Sequence, residues 1–224
     1  MQKTFEVNGL PEEDAGEPAC FARIVDELAA HGYCLLDQAI PAALSEALHA
    51  RVTSLSHSEF ATAGIGRAQD FGQNERIRSD EIHWLGQDDA AERAWLAWIE
   101  QLRVYVNRHL FLGLFSYEGH FAHYPPGAFY KRHVDAFRGE SNRMLTVVLY
   151  LNPEWHAVDG GEMLMYAPQG EQPFARLVPQ MGRVAVFLSE EFPHEVLPAK
   201  RDRYSIAGWY RINTSSAGRI DPPD

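Results

Sequence analysis

Three side chains in this sequence have the types and spacing to hold a metal. His133 and Asp135 stand two apart in YPPGAFYKRHVD, with Val134 between them. On a strand, residues two apart share a face, so the imidazole and the carboxylate aim one way and Val134 the other. Such a pair is two thirds of the 2-His-1-carboxylate triad, which holds non-haem Fe(II) and leaves coordination positions open. The third ligand has to be a second histidine delivered by the fold. His194, in FPHEVLPAKRDRYS, is the best candidate, and Arg203 follows it nine residues later. A lone H-x-D is weak, since chance supplies one in many proteins. A downstream His and Arg, each on its own strand-like run, make the joint pattern far more specific than ordinary polar residues on a half-buried sheet.

These side chains lie on separate runs, so a scaffold must bring them together. From Phe115 onward, short apolar runs alternate with Gly, Pro and Asn: GHFAHY, AFYKRHVD, RMLTVVLYLN, EMLMYA, ARLVP, RVAVFLS, HEVLPA and RYSIAGWYRI. Many short strands at regular spacing suggest a sandwich or barrel. The first half reads differently. Phe21, Ile24, Val25 and Leu28 recur at helical spacing after Pro18, and Gly32 ends that helix. Tyr33–Leu36 reads as a short strand. Pro41 opens a second helix with the stripe Leu44, Leu48, Val52 and Leu55. Asp88–Leu110 is the longest helix candidate, with Ala94, Trp95, Trp98, Leu102, Tyr105 and Val106 on one face. Helices first and strands afterwards imply an α+β fold, a jelly-roll core with the N-terminal helices packed on one sheet.

Between the second helix and Asp88, residues 56–82 lose the apolar period, and Gly64, Gly66 and Gly72 lie among polar residues. So long a loop in a compact domain is usually functional or disordered, and a lid is the expected role. It closes into IRSDEIHWL, residues 77–85, expected as a strand. Residues 1–16 and 214–224 read as a loose N-terminus and a tail. The chain is expected to be a single domain, with 1–112 as mainly helical support plus the lid and 113–213 as the core.

Composition narrows the function. The 224 residues are 46% hydrophobic and 23% charged, ordinary for a soluble globular chain, and the formal net charge is −11. So acidic a chain disfavours a nucleic-acid partner, whose phosphates need clustered Lys and Arg; Arg67, Arg76 and Arg78 form only a loose group. Cys20 and Cys34 have neither metal nor redox spacing, which fits a reducing cytoplasm. The N-terminus lacks the apolar core of a signal peptide, and no run approaches a membrane span.

Five segments in order, IRSDEIHWL, AHYPPGAFYKRHVD, NRMLTVVLYLN, GGEMLMYAP and FPHEVLPAKRDRYSIAGWY, resemble the Fe(II)/2-oxoglutarate-dependent oxygenases. The resemblance is to the prolyl 4-hydroxylases that modify hypoxia-inducible factor, and to their bacterial relatives. It runs from about Ile77 to Tyr210 and implies a double-stranded β-helix core. It makes His133, Asp135 and His194 the iron ligands and Arg203 the partner of the distal carboxylate of 2-oxoglutarate. The planar fork of arginine suits that carboxylate independently of the family. Tyr150 matches a hydroxyl donor to the same carboxylate, and Tyr124 a wall of the cosubstrate pocket. Ser205, Ala207 and Trp209 share the face of Arg203; animal members usually have Thr at the position of Ala207. Gly160 and Gly161 are expected to form a tight turn and nothing more. His123 and His156 are expected to be surface or structural residues.

The resemblance implies hydroxylation of C4 of a prolyl residue in a protein. Fe(II), 2-oxoglutarate and O2 are consumed together, ascorbate serves as reductant, and succinate and CO2 are the co-products. Asp135 is then a ligand and not a general base. Oxygen sensing enters through the same family, and the bacterial relatives point to a proline in elongation factor Tu. Tyr130, Arg143, Trp209 and Asp80 are the expected substrate-side residues, with an Asp80–Arg143 ion pair joining lid to core. Tyr130 lies three residues before His133, so on a regular strand it faces away. It reaches the rim only if the strand bends near Gly127. A cytoplasmic monomer is expected. The competing functions are a small-molecule oxygenase, such as one acting on a free amino acid, and a non-catalytic binding module. An intact triad plus Arg203 argues against the latter.

Overall fold

The computed structural model describes residues 18–63, 77–136 and 142–213. The expected N-terminal stretch, lid residues 64–76, residues 137–141 and the tail lie outside the described residues. Three helices precede most of the strands. Helix α1 (Ala19–His31) starts after Pro18, and its end is closed by Gly32 at φ 77°, whose N–H donates to the Leu28 carbonyl. Helix α2 spans Ala42–Ser54. Helix α3 (Ala90–Leu110) is capped by the Asp89 carboxylate, which accepts the N–H groups of Ala91 and Glu92. Its buried stripe is Trp95, Trp98, Ile99, Leu102 and Val106. Burying each such side chain is worth about 1.5–3 kcal/mol of transfer free energy, so packing and not propensity holds this helix.

The strands are β1 (Tyr33–Leu36), β2 (Ala61–Thr62), β3 (Glu81–Trp84), β4 (Leu114–Tyr124), β5 (Tyr130–His133), β6 (Arg143–Tyr150), β7 (Met163–Tyr166), β8 (Pro173–Leu177), β9 (Val184–Leu188), β10 (His194–Val196) and β11 (Arg203–Ile212). They form a seven-stranded sheet, ordered β1-β9-β6-β11-β4-β3-β2, and a four-stranded sheet, ordered β5-β10-β7-β8. Every pairing between named strands is antiparallel. This is the jelly-roll core with helical support that the strand runs imply.

The period of two sorts the large sheet. Leu145, Val147 and Leu149 of β6 join Phe121, Val184, Val186, Ile206 and Tyr210 in the core shared with the helices. The Tyr210 hydroxyl fastens the sheet to α3 by donating to the Ile99 carbonyl at 2.6 Å. The alternate residues, Thr146, Val148 and Tyr150 on β6 with Arg203, Ser205, Ala207 and Trp209 on β11, take the other face. That face opens toward the small sheet, where the histidines lie.

Two local expectations change. The strand expected over 77–85 forms only at Glu81–Trp84. Its first residues instead run along the outer edge of β5: the Lys131 N–H donates to the Ile77 carbonyl at 2.8 Å and the Ser79 N–H to the Phe129 carbonyl at 3.1 Å. And β5 ends at His133, so Asp135 sits in a bend just past the strand.

Candidate iron and 2-oxoglutarate site

The register of the small sheet assembles the triad. His133 lies directly opposite His194 across the β5–β10 pair, and cross-strand partners share a face. Their ring centroids are 4.4 Å apart. Asp135 completes the group, with its Oδ1 3.7 Å from Nε2 of His133 and its Oδ2 3.6 Å from Nε2 of His194. One ligand atom from each residue lies within 4.8 Å of the others.

The surroundings fix each ligand in its binding form. His133 donates Nδ1–H to the Lys131 carbonyl at 2.7 Å, and His194 donates Nδ1–H to the Phe192 carbonyl at 3.0 Å. A carbonyl only accepts, so each Nδ1 carries a proton and Nε2, which faces Asp135, is the nitrogen left for a metal. The Thr146 hydroxyl donates to Asp135 Oδ2 at 2.7 Å and also meets the Ser189 hydroxyl at 2.9 Å. Burial alone would raise the Asp135 pKa. The His194 and His133 imidazoles and the Thr146 hydroxyl outweigh it and hold the carboxyl well below the usual range. Burial pushes His194 down to about 4 against the pull of Asp135. An ionised carboxylate and a neutral imidazole are the forms a metal needs. The donor set, its closeness and its second layer of hydrogen bonds therefore fit Fe(II).

Arg203 builds the second half of the site. Its side chain is buried, with Nε donating to the Gly161 carbonyl at 2.8 Å and Nη1 to the Ser205 hydroxyl at 3.4 Å. The guanidinium lies 4.8 Å from the Tyr124 ring centroid and 5.2 Å from that of Tyr150. Among the described residues no acidic side chain pairs with it. A buried cation without a counter-ion is costly, and its fork is shaped for a carboxylate. Burial holds the Tyr150 phenol up at about 12, so it stays a donor, and its one protein partner among the described residues is the Met163 sulfur at 3.5 Å. The cradle fits the distal carboxylate of 2-oxoglutarate.

Gly161 has a role beyond the turn expected of it. At φ 71° it aims its carbonyl at Arg203, and a Cβ there would stand 2.9 Å from Ala199 Cβ and 3.1 Å from Arg203 Cδ. His123 is structural as expected, buried and held by Asp202 at 2.8 Å and Glu81 at 3.4 Å.

The expected rim residues divide. The Asp80–Arg143 ion pair does not form. Asp80, almost fully buried, is gripped by Arg78 through two hydrogen bonds of 2.7 and 2.5 Å. Arg143 donates instead to Glu118 at 2.7 Å and lies 3.6 Å from the Trp209 ring centroid. Tyr130 does reach the site, by a route other than a bend at Gly127. Two residue steps along β10, His194 to Val196, span three along β5, His133 to Tyr130. That bulge reverses the side-chain parity, and Tyr130 stacks on the His133 ring at 3.5 Å between centroids. Arg78 covers the other face of this stack, 4.4 Å from the Tyr130 centroid. Thr146, Ser189, Gly161 and Arg78 are the site residues that the sequence reading passed over. The lone threonine in the apolar run MLTVVLY was the available signal for Thr146.

A model of the 2OG-Fe(II) oxygenase superfamily matches residues 119–211. Mouse prolyl hydroxylase EGLN3 is 30% identical over 187 residues, covering 80% of this chain and 78% of that protein. Human Egl nine homolog 1 is 31% identical over 187 residues, again 80% of this chain but 44% of the relative, so the chain spans less than half of that protein's length. A Pseudomonas putida prolyl-4-hydroxylase structure superposes with TM-score 0.77 at 42% identity, covering 86% of this chain and 98% of the other. A Trichoplax adhaerens prolyl hydroxylase, solved with a hypoxia inducible factor oxygen degradation domain peptide, gives 0.74 at 26% identity, with 87% and 90% covered. The chain belongs to the 2OG-Fe(II) oxygenase superfamily, and these relatives place it with the prolyl-hydroxylase type. Among the described residues no helix is long and apolar enough to cross a membrane.

Proposed function

We propose that this chain hydroxylates C4 of a prolyl residue in a protein, consuming Fe(II)-bound 2-oxoglutarate and O2 and releasing succinate and CO2. The observation that carries the reading is the buried, acid-free Arg203 between two tyrosines, on the face that opens toward an iron-type triad. When bound, the iron supplies the oxidising power that inserts oxygen into an unactivated C–H bond. The residues do the rest. His133, Asp135 and His194 hold the metal on one side and leave the other side to ligands. Arg203 and Tyr150 anchor the far carboxylate of the cosubstrate, which fixes its reacting end at the metal. Thr146 keeps Asp135 ionised and oriented, so the carboxylate remains a ligand and takes no proton.

Tyr130, stacked on His133, and Trp209, on the Arg203 face of β11, are the residues taken to orient the target ring, and Arg143 stacked on Trp209 keeps that indole in place. Ascorbate as reductant, action as a monomer and elongation factor Tu as the target are parts of the same proposal. The test is incubation of the iron-loaded enzyme with 2-oxoglutarate and elongation factor Tu, followed by tandem mass spectrometry. Oxygen gained on a proline supports the reading. Oxygen gained on free proline or another small molecule, with no protein modified, replaces it with a small-molecule oxygenase.

A further inference from the structure

A cleft of about 310 Å³ opens beside the metal ligands, and the roles assigned above leave it unused. Its lining includes Val134, Ala136, Pro168, Pro193, Glu190 and Glu191. Val134 and Ala136 flank Asp135 in the chain, and Pro193 precedes His194. One wall is therefore the backbone that carries two of the three iron ligands, and adjacent Cα atoms are only about 3.8 Å apart. A polypeptide presenting one residue to the metal would have this cleft within reach of residues close to its target.

The chemistry of the cleft has two parts. Its lining is largely apolar, two prolines with Val134 and Ala136, and Gln169 adds an amide. Its rim carries two consecutive half-buried carboxylates, and among the described residues neither Glu190 nor Glu191 has an ion-pair or side-chain hydrogen-bond partner. Two nearby arginines already have acidic partners: Arg143 with Glu118 and Arg78 with Asp80. A long aliphatic stem ending in a cation satisfies both parts at once, because Lys and Arg lay their methylenes on apolar surface and keep the charge at its edge. A neutral or acidic residue would leave the carboxylates uncompensated or repelled.

The geometry points to this cleft as a specificity site for the protein substrate, taking a Lys or Arg that lies a few residues from the target proline. The inference rests on the prolyl-hydroxylase reading and adds the class of sequence on which it acts.

The probes are three short peptides with one central proline, flanked by lysines, serines or glutamates. Binding to the iron-loaded enzyme with 2-oxoglutarate is measured by fluorescence anisotropy without O2, and KM for hydroxylation with O2. The lysine peptide should lead the glutamate peptide by on the order of three- to tenfold in both, with a gap that narrows as salt rises. Glu190→Gln with Glu191→Gln should erase the gap. Glu190→Lys with Glu191→Lys should invert the ranking, an outcome that a damaged fold cannot produce. Hydroxylation of all three peptides with no charge preference, or with a preference that survives both double variants, overturns the cleft assignment and leaves the function standing. If no prolyl peptide gains oxygen while a small molecule does, the function falls and the cleft assignment with it.

Discussion

Replacing Thr146 with valine isolates one hydroxyl of the metal site. The two side chains have nearly the same shape and both suit a strand, and Thr146 is 1% exposed, so the swap leaves packing close to intact. What disappears is the 2.7 Å donation to Asp135 Oδ2 and the 2.9 Å contact with Ser189. A hydrogen bond to a charged acceptor is worth about 1.5–3 kcal/mol, or about 10- to 100-fold in an equilibrium at 1.4 kcal/mol per decade. Loss of an outer hydrogen bond to a metal ligand falls in that same range. Thr146→Val should therefore weaken metal binding by about 10- to 100-fold, while Thr146→Ser, which keeps the hydroxyl, should restore most of it. Calorimetric titration of the apoprotein with Mn(II), an oxygen-stable stand-in for Fe(II), reads this directly. A Thr146→Val affinity within about twofold of the parent would mean that the hydroxyl does not support the ligand, and its role in holding Asp135 would be refuted.

Three further outcomes follow from the same geometry. Arg203→Lys keeps the charge but loses the fork and the bond to the Gly161 carbonyl, so KM for 2-oxoglutarate should rise by an amount on the order of 1–3 kcal/mol; an unchanged KM would place the carboxylate elsewhere. Gly161→Ala forces a side chain onto a positive φ and against Ala199 and Arg203, which should cost about 1–3 kcal/mol of stability by thermal or urea unfolding and raise the same KM; a melt and KM matching the parent would refute it. His120 is buried and donates to the Ala207 carbonyl; burial first, then Arg78 and Arg143, pushes its pKa down to about 3. The unfolded chain takes up that proton near pH 6.5 and the folded chain does not, so this contribution is lost as pH falls from about 6.5 toward 3. By pH 5 the loss is about 2 kcal/mol, and urea unfolding of His120→Gln should show a correspondingly shallower acid decline.

Much of this site could be read before the fold was known, because its parts are local. The H-x-D pair, the later His and the Arg each lie on short runs whose period of two states which way they face. Even there the route differed. Asp135 reaches the metal from a bend past the strand, held by Thr146, and no spacing rule shows that hydroxyl reaching across from another strand. Tyr130 reaches the site by a route that the sequence does not show, because a bulge belongs to a pair of strands, and its register is set by β10, more than sixty residues downstream. The partner of Asp80 was legible and was missed: Arg78 stands two residues away on an extended segment, so the two share a face. The carbonyl of Gly161 was not legible, since backbone direction at a turn depends on what packs against it.

The outer edge of β5 has one more consequence. An edge strand beside a reactive centre ordinarily offers its unpaired N–H and C=O groups to any extended chain that arrives. In this protein the Ile77 carbonyl takes the Lys131 N–H, and the Phe129 carbonyl takes the Ser79 N–H. Those two positions are filled from within the molecule. A polypeptide of the kind proposed above would find these positions taken and could not add itself there as another strand, a mode that draws its affinity from backbone ladders and tolerates many sequences. Under the proposed function, a polypeptide would be gripped at this edge by its side chains, which makes the residues around the target, more than an extended shape, the determinant of acceptance.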